Sequence, residues 1–239
     1  MNSIIVSLSK LTSGGPSTFI SRFSKYLNNR NIKLLFYGSK SKASAVLVIS
    51  GTKKLAWLIY NKMSGKKIVQ RLDGFQWKHK YEKVSFIYYL KCQLINLNMY
   101  IIRKYIADHV VYQSAFLEKQ WNRDFGMVKS DYSIIHNAAD QKFFDVKSMR
   151  KKNPDKNIEE KYKIICVEGT FQNDQVTQGM LNAIEQNVLQ NDKIDIVELY
   201  GNNRLLDKSK FNLDILNFKG EVKREEMHKI YLENNLIFF

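Results

Sequence analysis

The residues best suited to chemistry sit just past short apolar runs. Arg71-Leu72-Asp73-Gly74-Phe75 follows Ile68-Val69-Gln70. An aspartate at a strand's end, freed by a glycine, accepts hydrogen bonds from hydroxyls or takes a proton. Acids are scarce in this half of the chain, which makes Asp73 the leading catalytic candidate. Its plainer role is a salt bridge to Arg71 or an Asx turn. A second cluster is the loop Thr12-Ser13-Gly14-Gly15-Pro16-Ser17-Thr18, between the apolar run Ile4 to Leu8 and the helically spaced Phe19, Phe23, Tyr26 and Leu27. The pair Gly14 and Gly15 lets the backbone approach a phosphate, and the following helix N-terminus adds unpaired N–H groups. A tight turn capped by Ser17 or Thr18 fits the same residues.

The third cluster runs from Ala107 to Phe144. Two apolar strands, Ala107-Asp108-His109-Val110-Val111-Tyr112-Gln113-Ser114 and Ser133-Ile134-Ile135-His136-Asn137-Ala138-Ala139-Asp140, each end in polar residues. Open α/β sheets bind ligands at such strand ends. Ser114 reads as the N-cap of a helix over Ala115 to Asp124, with Glu118 close to a capping-box position. Asn137 and Asp140 are ordinary turn formers, and the lone His136 is expected to be structural. Phe75-Gln76-Trp77-Lys78-His79-Lys80-Tyr81 interleaves cations with aromatics, which suits stacking on nucleic acid. An RNA-binding aromatic signature, a zinc finger and a helix-turn-helix pattern are all lacking, so nucleic acid ranks last among the partners.

These clusters need elements to hold them. Apolar runs at Ile4 to Leu8, Lys33 to Phe36, Ala45 to Ile49 and Lys67 to Gln70 alternate with helical segments, which implies a parallel sheet with crossover helices. The pattern lapses in a charged stretch containing Pro154 and restarts with a strand at Ile164 to Val167 and a turn at Glu168-Gly169-Thr170. A helical face of Met180, Leu181, Ile184 and Val188 follows, then strands at Ile194 to Tyr200, ending at Gly201, and Asp214 to Phe218. Met227, Ile230 and Tyr231 make another helical face before a final strand from Leu236 to Phe239. We therefore expect an N-terminal Rossmann-like domain over 1–145, a linker over 146–162 and a partial C-terminal Rossmann-like domain over 163–239. A single domain with a long surface loop is the alternative. The second sheet would be left with an uncovered face and an open edge, as if something were missing.

Composition narrows the class. With 44% apolar and 13% aromatic residues among 239, the chain has material for buried cores. The net charge of +15 is lopsided: residues 1–120 hold 20 Lys and Arg against 4 Asp and Glu, and the remainder is nearly balanced. That field draws the first half towards polyanions such as anionic lipid, nucleotide diphosphates or nucleic acid. Cys92 and Cys166 stand far apart and read as reduced side chains of a cytosolic protein. The N-terminus lacks a signal peptide's pattern. No acidic or histidine cluster has metal-ligand spacing, so no metal is expected. Val84 to Ile102 is interrupted by Lys91, Gln93, Asn96 and Asn98, and its Phe86, Leu90, Leu94, Leu97, Ile101 and Tyr105 predict a helix buried along that face. With Lys80, Lys83, Arg103 and Lys104 flanking it, the helix also suits a membrane surface.

The order of Gly14-Gly15-Pro16, Arg71-Leu72-Asp73-Gly74, Ala107 to Phe116, Ile135-His136-Asn137-Ala138-Ala139-Asp140 and Phe218-Lys219-Gly220-Glu221-Val222 resembles retaining, family-four type glycosyltransferases of the GT-B fold, across almost the whole chain. The resemblance implies an α/β protein of two Rossmann-like domains with parallel sheets, the second incomplete. It implies a nucleotide-sugar donor as substrate with no cofactor, and a cell-surface saccharide or lipid-linked acceptor. Asp73 would face the reacting sugar, and Gly14 and Gly15 would lie near the donor phosphates. Gly169 and Thr170 would form the first donor-side loop, with Glu221 and Val222 near the base. Two departures stand out: Gly169 to Gln175 lacks the family's Arg and Lys, and its pair of glutamates separated by seven residues would lie beyond Phe239. The expectation is a truncated or split enzyme with little activity alone, or a non-catalytic sugar- or nucleotide-binding module completed by a second chain. The expected location is cytoplasmic, peripheral at the inner face of the membrane.

Overall fold

The computed structural model describes residues 3–10, 15–39, 42–138, 162–212, 214–233 and 236–238. The chain divides into two compact units, Met1–Ala138 and Ala139–Phe239. The expected linker lies outside the described residues except for Tyr162, which already begins a strand.

The first unit is a six-stranded sheet, every adjacent pair parallel, in the order β2-β1-β3-β4-β5-β6. Its strands are β1 (Ser3–Val6), β2 (Lys33–Phe36), β3 (Ala45–Ile49), β4 (Lys67–Leu72), β5 (His109–Tyr112) and β6 (Asp131–Ile134). Four residues of the central β3 are buried because both faces are covered. On one face α1 (Gly15–Asn28) packs Ile20 against Val6, Leu47 and Ile49. On the other, Leu58 of α2 (Leu55–Met63) meets Val46, Val48 and Ile68. Trp121 of α4 (Ala115–Phe125) packs there with Leu72, Phe75, Val110 and Tyr112. Each such fully buried side chain contributes roughly 1.5–3 kcal/mol. Ser114 caps α4, its hydroxyl accepting from Leu117 N–H at 3.2 Å.

Helix α3 (Phe86–Ile101) departs from expectation. The face chosen from periodicity is the outer one: Phe86, Leu90, Leu94, Leu97 and Tyr105 are exposed, and Ile101 is half-buried. The buried stripe is Cys92, Asn96 and Met99, continued by Ile102, Arg103 and Ile106 in a π-helical turn (Ile102–Ile106). The turn closes with Ala107 N–H donating to Ile102 O at 2.8 Å. Burying Arg103 is tolerable because its donors are met. Nε reaches the Tyr112 hydroxyl at 2.8 Å, Nη1 reaches Gly126 O at 2.8 Å and Nη2 reaches Asn122 Oδ1 at 2.5 Å.

The second unit is a four-stranded parallel sheet in the order β10-β7-β8-β9. It contains β7 (Tyr162–Gln172), α5 (Gln175–Leu189), β8 (Ile194–Leu205), β9 (Leu216–Gly220), α6 (Arg224–Glu233) and β10 (Leu236–Phe238). Leu181, Ile184 and Val188 of α5 pack on Cys166, Val197, Leu199 and Leu216. Asp174 caps α5 by accepting from Thr177 N–H at 2.7 Å. Two strand ends are corrected. Glu168-Gly169-Thr170 lies within β7, and β8 continues past Gly201, with register shifts that still pair Thr170 with Asn202 and Gln172 with Leu205. The reason is a close approach: a Cβ on Gly201 would stand 2.1 Å from the Glu168 carbonyl oxygen. A glycine inside a strand here marks a bulge where two backbones meet, not an end.

Candidate active site

Asp73 leaves the C-terminal end of β4, and its surroundings are built by residues far away in sequence. The Ser50 hydroxyl donates to Asp73 Oδ1, and the Trp121 indole N–H donates to the Asp73 carbonyl at 3.1 Å. Ser50 follows β3 with φ of +56°, a left-handed conformation that costs a non-glycine residue about 1–3 kcal/mol. It is held there by its N–H on Arg71 O at 2.8 Å and its carbonyl on Gln70 Nε2 at 2.6 Å. The strained serine aims its hydroxyl at the carboxylate.

Two asparagines of α3 clamp the loops that carry this pair. Asn98 accepts from Thr52 N–H at 3.1 Å and donates to Thr52 O at 3.0 Å. Asn96 does the same for Gln76, at 2.8 Å in both directions. Gly51 lets the helix come this close, since a Cβ there would lie 2.7 Å from Asn98 Oδ1. In the sequence alone these asparagines read only as interruptions of an apolar run. A polar residue inside an apolar helix was the available signal, because burial demands a partner.

Arg71 points to the α1 face of the sheet. Its Nη2 donates to Asn137 Oδ1 at 2.7 Å, and Asn137 Nδ2 donates to Gln113 Oε1 at 2.7 Å. The guanidinium lies 4.0 Å from the centre of the Phe19 ring. Burial pushes the Arg71 guanidinium below its usual value, and the nearby Asp73 carboxylate pulls it back up.

Asp73 lines two cavities. One, of about 750 Å³, also takes in Gly15, Arg22, Arg71, His136 and Asn137. The other, of about 780 Å³, takes in Ser50, Lys53, Lys91 and the solvent face of α3. The first thus gathers two sequence candidates, Gly15 and Asp73, with two arginines. Cations and amide groups there suit an anion, and a carboxylate between two cavities can meet two ligands at once. Gly14 and Asp140 lie outside the described residues. Ser114 is occupied as a cap, and His79 of the basic-aromatic segment is buried with Nε2 3.1 Å from Gln93.

In the second unit Gly169 is exposed and Thr170 half-buried near the C-terminal end of β7, while Glu221 and Val222 follow β9. In a parallel sheet both places share one edge. Deeper in this sheet, Glu198 accepts from the Tyr200 hydroxyl at 2.6 Å and pairs with Lys219 at 3.2 Å and Lys163 at 3.6 Å. Cys92 and Cys166 are free and buried, and desolvation, with the Glu168 charge, pushes the Cys166 thiol up to about 11. Among the described residues no cluster of His, Cys, Asp or Glu could hold a metal, and no helix is long and apolar enough to cross a membrane.

Two parallel α/β units, each a Rossmann-like sheet, are the architecture of the GT-B fold. Sucrose-phosphate synthase from Thermosynechococcus elongatus is similar with a TM-score of 0.70 at 12% identity, over 99% of this chain and 75% of that one. HepE of Anabaena, solved in complex with UDP and glucose, is similar with a TM-score of 0.59 at 9% identity, over 99% of this chain and 73% of that one. At such identities the likeness is one of fold. No family model matches the sequence, and no curated protein does.

Proposed function

We propose that this chain is a glycosyltransferase of the retaining, family-four type, moving a hexosyl or N-acetylhexosaminyl group from a nucleotide sugar to a cell-surface saccharide or lipid-linked acceptor. The observation that carries the reading is Asp73, oriented by Ser50 at a strand end and shared by two cavities. Asp73 Oδ1 is engaged by Ser50, which leaves Oδ2 to accept from a sugar hydroxyl. Holding that hydroxyl against the reacting sugar supplies the positioning that such a transfer needs. In the reaction the bond from the anomeric carbon to the diphosphate breaks, a bond to the acceptor oxygen forms, and the acceptor's proton is released.

The donor side is assigned to Gly14 and Gly15 near the phosphates, with Gly169, Thr170, Glu221 and Val222 on the second unit. The fold neighbour bound to UDP and glucose supports a nucleotide-sugar donor. The first unit's excess of cations suits a peripheral place at an anionic membrane on the cytoplasmic side.

The experiment is transfer from a panel of nucleotide sugars by wild type and Asp73→Asn. We expect turnover to fall about a hundredfold or more in the variant, with nucleotide affinity unchanged. Equal turnover in both would sink the role of Asp73. A second reading, a sugar- or nucleotide-binding module without turnover, is favoured by one observation: the stretch from Gly169 to Gln175, at the C-terminal end of β7 and the start of α5, holds no Arg or Lys. Saturable UDP binding by a chain that transfers no sugar from any donor would select it.

A further inference from the structure

The outer face of α3 is apolar and open to solvent. Phe86, Ile87, Leu90, Leu94 and Leu97 are 76%, 80%, 47%, 57% and 49% exposed, and Lys91 is the sole charge in the helix. Contiguous apolar surface of this kind marks a binding site. Two observations say what chemistry covers it.

The first is continuity with Asp73. Ile87, Leu90, Leu94 and Ile95 wall the 780 Å³ cavity whose other side is Ser50, Thr52 and Asp73. The space is apolar along the helix and ends at an oriented carboxylate. The second is charge. Lys53 and Lys91 also line it, both exposed, and neither makes an ion pair among the described residues. A fitting ligand is apolar at one end, anionic next to that, and hydroxylated where it meets Asp73. A free polysaccharide lacks the apolar part, and a nucleotide lacks it too.

We propose that the acceptor is a saccharide joined through phosphate to a lipid. Its chain lies on Ile87, Leu90, Leu94 and Ile95, its phosphate against Lys53 and Lys91, and its sugar hydroxyl at Asp73. This deepens the glycosyl-transfer reading and rests on it for the hydroxyl end alone. The lipid and phosphate contacts stand on the cavity itself. The clamps of Asn96 and Asn98 hold the helix wall and the two loops in one frame, so the seat is built before a ligand arrives.

The test is calorimetric titration of the purified chain with dodecyl phosphate kept below its micelle concentration, beside butyl phosphate and inorganic phosphate. Each methylene that the cavity buries multiplies affinity by about fourfold. We expect one saturable site for dodecyl phosphate and binding at least about a hundredfold weaker for butyl phosphate. Leu90→Glu with Leu94→Glu, and separately Lys91→Glu, should each weaken dodecyl phosphate by about tenfold or more. These positions are exposed, so the variants should fold, and tryptophan emission checks that they do.

Unchanged affinity in those variants would overturn the proposal. So would the absence of monomeric binding, whether the chain adsorbs to anionic vesicles or pairs with a second copy through α3. Titration with UDP separates the two readings. UDP binding without dodecyl phosphate binding removes the lipid seat and leaves sugar transfer standing; the converse removes sugar transfer and leaves the seat.

Discussion

A buried arginine of the first unit and a buried glutamate of the second are neutralised by different means. Arg103 in the first unit is fully buried and gives its protons to neutral oxygens from Tyr112, Gly126 and Asn122. Glu198 in the second is 7% exposed and is held by Lys163 and Lys219 with the Tyr200 hydroxyl. Neutral acceptors ask only for geometry, whereas a carboxylate between lysines also depends on its own ionisation. The first arrangement should therefore hold across pH and the second should not. It is also the first that supports the candidate site, because Arg103 ties the end of α3 to β5 and to α4.

The chain carries its own reporters for this contrast. Trp57, Trp77 and Trp121 all belong to the first unit, and Cys166 is a buried thiol of the second. The largest effect is expected from Arg103→Ala, which strands three acceptors and opens a cavity. The first unit should lose about 3–5 kcal/mol, seen as an earlier urea midpoint by tryptophan emission, with Cys166 labelling unmoved. If Cys166 becomes reactive at that same earlier midpoint, the two units unfold together and the contrast breaks.

Next come the glycines where backbones or helices meet. Gly201→Ala drives a Cβ into the Glu168 backbone carbonyl, which has little room to yield, and should destabilise the second unit by about 1–3 kcal/mol or more. Gly51→Ala meets the Asn98 side chain and the Met99 side chain instead, so its cost to the first unit should be smaller. Cys166 labelling reads the former and tryptophan emission the latter; a larger loss in Gly51→Ala would reverse the assignment of which contact is rigid.

The smallest effect is on pH dependence. Burial alone would raise the Glu198 carboxyl, but the Tyr200 hydroxyl, Lys219 and Lys163 outweigh it and hold the group below its usual value. A carboxylate lowered in the folded state contributes fully above its unfolded value, and that contribution is lost as pH falls through the folded one. The second transition, followed by circular dichroism in urea, should move to lower urea as pH drops below about 4.5, and Glu198→Gln should flatten that dependence. An equal slope in both proteins would mean that other carboxylates set it.

Much of the framework was legible because its signals are local. The strands β1 to β5 are short apolar runs bounded by polar residues, and the Ser114 cap and the Leu181-Ile184-Val188 face lie within single elements. Asp73 stood out as an acid beside a glycine in a basic half. The clamps did not, since Asn98 meets Thr52 across 46 positions and Asn96 meets Gln76 across 20. Ser50 was invisible for a like reason: its importance comes from a left-handed backbone and a partner 23 positions away.

Helix α3 marks the boundary between the two kinds of knowledge. By itself the sequence determined that this segment is helical with one apolar face at a spacing of three or four, and that apolar runs with crossovers make parallel sheets. Periodicity repeats identically on opposite sides of a helix, so it could not say which stripe turns inward. Only the tertiary structure decided that. It buried Asn96 and Arg103 where distant partners satisfy their hydrogen bonds, and it left the apolar face to line the space beside Asp73.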